Sequence, residues 1–193
     1  DHEAAPALRP VYVWDLVVRS THWLIMLSTL VLAATGYYIG RPFITASGPA
    51  EQNFVTGWVR IVHHYTAIVF TLAVVSRVIW MIVGPRCSGW RQFLPVAARR
   101  RRDLVQTLRF YLFLRPSPPL VTGHNPLAGL TYTVVFALYG LIILSGFALY
   151  AVSARSYMHV WQFLVPIFHG AQGARWIHHV SMWLLLGFAV HHV

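Results

Sequence analysis

Between Arg19 and Arg41 the chain runs for 21 residues, STHWLIMLSTLVLAATGYYIG, without an acid, a lysine or an arginine. A helix needs about 20 mostly apolar residues to cross about 30 Å of hydrocarbon. Inside a bilayer the backbone must also satisfy its own hydrogen bonds, which leaves helices or closed barrels. Three further segments read the same way. One covers 58–83 and closes on Gly84–Pro85. Asn125–Pro126 has the form of an N-cap followed by proline at the first helical position, and opens a third to Val152. The fourth begins at Ala174 and is still running at Val193. The expected fold is all-α, one integral-membrane four-helix bundle over residues 1–193 with helices at 17–39, 58–83, 126–152 and 174–193. No internal repeat or low-complexity tract stands out. The chain opens on Asp1 with no cleavable signal pattern, and both ends are expected to continue in a longer product.

Composition agrees. Hydrophobic residues make up 57% of the chain and charged residues 10%, too few to cover a water-facing surface. The formal charge of +10 comes entirely from arginine, since lysine is absent. Uncharged runs of this length exclude a nucleic-acid binder, so membrane topology is the better account of the charge. With Cys87 as its one cysteine, the chain has no disulfide framework, no iron–sulfur site of its own and no C-x-x-C-H for covalent haem.

The arginines also set the orientation. The 84–125 loop holds Arg86, Arg91, Arg99 to Arg102, Arg109 and Arg115, so the positive-inside rule places it in the cytoplasm, together with the N-terminus and its Arg9 and Arg19. The outer loops keep only Arg41, Arg155 and Arg175 nearby. Within the inner loop, DLVQTLRFYLFL is expected to lie along the membrane surface. In SYMHVWQFLVPIF, the aromatics Tyr157, Trp161 and Phe168 point to an outer interfacial segment.

Against this apolar background the histidines are conspicuous, because ionisable side chains within spans are costly and usually functional. On the fourth helix, His178 and His192 are fourteen residues apart, which leaves them about 40° apart around the axis and about 21 Å apart along it. The other pairings within the doublets His178–His179 and His191–His192, at twelve or thirteen residues, diverge by about 120° or more. Only His178 and His192 share a face, at opposite depths. His22 starts the first helix at the inner level and His63 starts the second at the outer level. The chain thus presents two imidazole pairs, His63 with His178 and His22 with His192, which is what two noncovalent haems b require.

Arginine precedes three of these ligands at the same offset: Arg19-x-x-His22, Arg60-x-x-His63 and Arg175-x-x-His178. At that spacing both side chains share a helix face, with the guanidinium placed to pair with a haem propionate. Arg77, fourteen residues after His63, is expected to serve the inner haem. His64 and His179 lack the arginine and are read as interface or packing residues. Gly36, Gly140, Gly146 and Gly187 offer close approach to the helices.

The stretches RPVYVWDLVVRSTHW, TGYYIG, GWVRIVH, GHNPLAGL, LSGFALY and HHVSMWLLL resemble, in order and over nearly the whole chain, the b-type cytochrome subunit of membrane-bound nickel–iron hydrogenases. R-x-x-H-W alone is shared with a wider superfamily that includes formate dehydrogenase cytochromes. The resemblance implies haem ligation by His22, His63, His178 and His192 and a place in the bacterial inner membrane. It also implies an iron–sulfur small subunit with its own anchor helix, a nickel–iron large subunit on the periplasmic side, and electron delivery to a membrane quinone. The redox chemistry would belong to the cofactors, and hydrogen itself would be handled by the partner. This chain departs from the family habit in carrying Asp15-Leu16-Val17 before the first arginine motif, Thr21 before the first ligand, and extra histidines at 64 and 191. His124 in GHNP is a weak candidate for assisting quinone. A cytochrome of a formate- or thiosulfate-type enzyme, and a haem-free membrane anchor, are the alternatives.

The face assignment has a direct test. Replacing His178 or His63 by alanine should remove the outer haem and leave the inner one, whereas His179→Ala and His64→Ala should leave both haem spectra nearly intact. Difference spectra of purified variants check this, and the reverse pattern would refute the assignment.

Overall fold

The computed structural model describes residues 15–44, 49, 54–85, 88–90, 93–94, 97–117, 126–153 and 159–192. Among them are six α-helices and no strand: α1 (Leu16–Gly40), α2 (Val55–Val83), α3 (Ala98–Tyr111), α4 (Pro126–Ser153), α5 (Leu164–Ile167) and α6 (Ala171–His192), with a 3-10 turn at His159–Trp161 before α5. Asn125, His124 and Tyr157, and the arginines at 9, 86, 91 and 155, lie outside the described residues.

Three helices, α1, α2 and α4, are long and apolar enough to cross a membrane. The fourth expected span differs. At 22 residues α6 is long enough, about 33 Å, but it carries Gln172, Arg175 and four histidines. Those polar groups keep it out of the set of apolar spanning helices. The side chains that make α6 interesting are the ones that lower its hydropathy.

The long helices pack as two pairs, α1 along α2 and α4 along α6, and the pairs touch more sparingly where α2 meets α4. The seam of the first pair is a cluster of Ile25, Phe70, Ala73 and Val74, against which Leu32, Tyr139, Ile142 and Ile143 pack. Tyr139 meets Phe70 edge-on at 5.4 Å, joining α4 to the first pair. Away from these seams, large apolar side chains such as Leu27, Leu30, Ile68, Leu72, Ile79, Val134 and Leu184 are exposed. Water would penalise such a surface, and lipid does not.

A second cluster seals the end of the α4–α6 pair. Ala148 and Ala174 are fully buried there beside Leu164 and Phe168. Trp161 stacks on Phe147 at 4.4 Å with planes 16° apart. Two of the three aromatics assigned to an interfacial belt, Trp161 and Phe168, are thus turned in toward α4 and α6. The turn into α6 passes through His169 and Gly170, both at positive φ (55° and 93°), which reverses the chain within two residues.

Helix α3 starts five residues before the expected Asp103, because arginines are good helix formers even where hydropathy says nothing. It packs on α4 with Thr107 turned inward and buried. Val105, Leu108 and the tip residues Tyr111 to Leu114 are exposed.

One polar knot ties the two ends of the first pair together. Asp15 caps α1 by accepting from the Val18 backbone N–H at 2.9 Å. The same carboxylate accepts from Trp80 Nε1–H near the end of α2 at 2.8 Å and from Ser88 Oγ–H beyond it at 3.2 Å. Desolvation pushes the Asp15 carboxyl up. The bonds from Trp80, Val18 and Ser88 and the nearby Arg77 charge outweigh it, so its pKa lies below the ordinary value. A carboxylate favoured in the folded state stabilises the fold above the ordinary carboxylate range, and that contribution is lost as pH falls through the folded pKa. Asp15→Ala removes a cap and charge-assisted bonds and should cost about 1–3 kcal/mol. Thermal unfolding in detergent should show an acid limb below about pH 4 that is shallower in Asp15→Asn.

Candidate functional site

At the end that holds the start of α1, His22 from the first turns of α1 and His192 from the last turn of α6 face each other. Their ring centroids are 6.3 Å apart, with planes inclined at 61°. His192 is held by aromatic neighbours: Phe188, a turn earlier, stacks on it at 5.3 Å, and Tyr132 of α4 meets its edge at 6.2 Å. His22 lies edge-on to Trp23 at 5.9 Å. Neither pair of long helices contains this site alone, since it joins α1 of the first to α6 of the second.

At the other end, His63 near the start of α2 and His178 in α6 are close enough to interact electrostatically across the bundle. Each ring lies against a helix of its own pair. His63 Nδ1 is 2.8 Å from Thr35 Oγ1 of α1, and a Cβ on Gly36 would stand 3.3 Å from its Cε1. His178 Nδ1 is 3.1 Å from both Ser145 Oγ and the Ile142 carbonyl oxygen of α4, and a Cβ on Gly146 would stand 3.2 Å from its Cε1. A side chain at either glycine would crowd the imidazole it faces. Gly140 and Gly187 differ, because a Cβ there would meet no neighbouring atom within 4 Å.

The other member of each doublet is directed elsewhere. His64 packs edge-on against Tyr150 of α4 at 5.1 Å. His179 Nδ1–H donates to the Arg175 carbonyl at 2.8 Å, and its Nε2 would be 3.3 Å from a Cβ on Gly40 at the end of α1. His191 is exposed at the last turn of α6.

Of the four proposed propionate partners, Arg77 alone is buried, at 8% exposure. Its guanidinium lies over Phe93 at 5.7 Å and Phe136 at 6.0 Å, near Asp15. One of its buried terminal nitrogens, Nη1, has no hydrogen-bond partner. A guanidinium N–H left unpaired inside a protein is costly. Phe93 and Tyr132 form a chain of ring contacts from Arg77 to His192, with the two rings 6.0 Å apart. Arg19, Arg60 and Arg175 are exposed at the ends of α1, α2 and α6, and Arg175 donates to Gln172 Oε1 at 2.8 Å.

These residues fit haem. Metal–imidazole bonds are about 2 Å, so the 6.3 Å between the His22 and His192 ring centroids would leave room for an iron held by both. Two neutral nitrogen donors per site suit an ion whose other ligands come from a porphyrin. Among the described residues no cluster of three or more His, Cys, Asp or Glu side chains is arranged to hold a bare metal ion. The unpaired Nη1 of Arg77 supplies a donor suited to a carboxylate.

Three contributors escaped the reading of the sequence. Thr35 and Ser145 sit on the helices opposite their histidines, and Asp15 holds Trp80 from 65 residues away. A signal was present for the first two: each hydroxyl precedes a glycine, and each faces an Arg-x-x-His-His. The His63–His178 pair is therefore built from a short repeated device, Thr35-Gly36 with Arg60 to His64 and Ser145-Gly146 with Arg175 to His179, where no repeat was expected.

Residues 13–193 match the family model described as prokaryotic cytochrome b561. Among curated relatives, a probable Ni/Fe-hydrogenase B-type cytochrome subunit of Cupriavidus necator is 34% identical over 97% of this chain and 79% of its own length. Its counterpart in Bradyrhizobium diazoefficiens is 33% identical over 99% and 79%. The probable Ni/Fe-hydrogenase 1 B-type cytochrome subunit of Escherichia coli K12 is 33% identical over 94% and 80%. With three membrane-length helices and a match over nearly its whole length, the chain belongs to the prokaryotic cytochrome b561 family, among the Ni/Fe-hydrogenase B-type cytochrome subunits.

Proposed function

We propose that this chain is the di-haem b subunit of a membrane-bound nickel–iron hydrogenase, taking electrons from its partner on the outer face and delivering them to membrane quinone on the inner. The observation that carries the reading is the occurrence of two imidazole pairs at opposite ends of one bundle. The His22 and His192 ring centroids are 6.3 Å apart, a separation that supports a shared iron, and His63 and His178 are near enough to interact electrostatically at the far end. In this reading α6 is the fourth span, its polar histidines covered from lipid by what they bind. The N-terminus and the arginine-rich 84–125 loop lie in the cytoplasm of a bacterial inner membrane. The relatives' names support a hydrogenase partner. A small iron–sulfur subunit with its own anchor helix, bound to the nickel–iron large subunit, would deliver electrons at the end bearing His63 and His178.

Bound haem b supplies a one-electron iron couple at each pair. The chain's own residues do the rest. His63 and His178 hold the entry site, and His22 and His192 hold the exit site about 21 Å away along α6. Arg77, with its unpaired Nη1 in an aromatic setting, receives a propionate at the inner end, while Arg19, Arg60 and Arg175 serve at the helix ends. The apolar flanks of α1, α2 and α4 keep the relay in a low-dielectric medium. His124 remains the candidate for a proton-handling role beside quinone.

Entry and exit are separable by mutation. In membranes carrying the whole complex, His22→Ala or His192→Ala should leave one haem reducible by hydrogen and abolish hydrogen-dependent quinone reduction. His63→Ala should make the remaining haem unreactive toward hydrogen. Quinone reduction at the parental rate in His192→Ala would exclude this role for the inner pair.

A further inference from the structure

We infer that Thr35 and Ser145 are positioning residues that hold the two outer imidazoles with Nδ1 protonated and so strengthen them as iron ligands. This rests on the haem-binding role proposed for His63 and His178. It assigns to two neutral hydroxyls the work of separating the properties of the outer site from those of the inner one.

The argument begins with counting protons. A hydroxyl has one hydrogen to give and two lone pairs to receive with. Thr35 Oγ1–H is directed at the Val31 carbonyl of its own helix, 2.7 Å away, with the Leu32 carbonyl at 3.3 Å. With the hydroxyl hydrogen given to that carbonyl, the oxygen accepts from His63 Nδ1 at 2.8 Å, which assigns the ring proton to Nδ1. On α4, Ser145 Oγ–H donates to the Leu141 carbonyl at 2.6 Å. His178 Nδ1 lies 3.1 Å from that hydroxyl oxygen and 3.1 Å from the Ile142 carbonyl oxygen. A carbonyl never donates, so His178 too carries its proton on Nδ1, shared between two acceptors. In both rings Nε2 is then the atom with a free lone pair, the one a metal requires.

Other hydroxyls in these helices show that the contact is not generic. Thr29, Thr71 and Thr133 bond only to carbonyls one turn back in their own helices. Thr35 and Ser145 do the same and in addition meet an imidazole. Each is followed by the glycine that lets the ring approach, Gly36 and Gly146. Ser145 is fully buried, so its oxygen has no water to turn to. The arrangement occurs once in each helix pair, with 28 residues from hydroxyl to imidazole in one and 33 in the other. Packing alone has no reason to repeat it.

A ligating histidine whose other ring N–H is donated to an acceptor is a more basic ligand. Greater basicity favours the more positively charged iron and lowers the potential of its couple. The inner ligands are instead flanked by rings: Trp23 at His22, and Phe188 and Tyr132 at His192. The outer site is thereby biased to the lower potential, the direction that moves an electron from the outer pair to the inner.

The test is a potentiometric titration of the haem α-bands in the purified complex, comparing the parent with Thr35→Val, Ser145→Ala, both together, and Thr35→Ser. Valine matches threonine in shape without the acceptor, and serine restores the acceptor without the methyl. The expected result is full haem content, an upward shift of the lower midpoint potential in each of the first two variants, and a larger shift in the double variant. The upper midpoint should stay in place, and Thr35→Ser should behave as the parent. Loss of the lower-potential haem in Thr35→Val with retention in Thr35→Ser supports the same role. Unchanged potentials at full haem content would overturn the inference while leaving the di-haem reading intact. So would equal movement of both midpoints, or a shift in Thr35→Ser as large as in Thr35→Val. A parent complex without haem in this chain would instead remove the di-haem reading, and this inference with it.

Discussion

An imidazole placed in hydrocarbon has two nitrogens to satisfy and no water to do it, and that requirement organises this bundle. His63 and His178 each meet it on one side with an oxygen from the neighbouring helix, which leaves the other nitrogen available to a further partner. His22 and His192 meet each other and a set of aromatic rings. Because the four are drawn from α1, α2 and α6, satisfying them fixes how the two helix pairs stand together. Direct contact between the pairs is modest, concentrated where Phe70 meets Tyr139.

That arrangement reconciles two features of α6 that otherwise conflict. A helix of 22 residues has the reach of a span, yet its polar content lowers its hydropathy below that of α1, α2 and α4. The polar groups are distributed by direction. His178 faces Ser145 on α4, His192 faces α1 and Tyr132, and His179 lies against the end of α1. His178 and His179 are half-buried, while His192, at the last turn, and Trp183, Leu184 and Val190 are exposed. A hydropathy average sees the composition of such a helix and not its sides. The end that holds the start of α1 is fastened separately, by the Asp15 carboxylate joining α1 to Trp80 and Ser88 beside a buried Arg77.

How much of this was legible in the sequence follows from the range of each interaction. The start of α4 at Pro126 and the end of α2 at Val83 were readable because proline and Gly84–Pro85 act on their immediate neighbours. That His178 and His192 share a face of α6 was readable because helical periodicity is strict over fourteen residues, and the same count sets His179 and His191 apart from them. The start of α3 was placed late because a run of arginines carries no hydropathy signal. Thr35 and Ser145 were missed because a partner on another helix, 28 or 33 residues away, leaves no periodic trace. The inward turn of Trp161 and Phe168 was missed for a similar reason: an aromatic at a membrane surface and one folded over a helix end look alike until the stacking partner Phe147 is known.

The central claim is that four imidazoles form two axial pairs. Haem b stoichiometry by pyridine haemochrome, combined with low-temperature electron paramagnetic resonance of the oxidised complex, tests it most directly. The account predicts two haems b for each copy of this chain, both low-spin with bis-imidazole ligation. A single haem, a high-spin centre in the intact complex, or no haem in this subunit would contradict it.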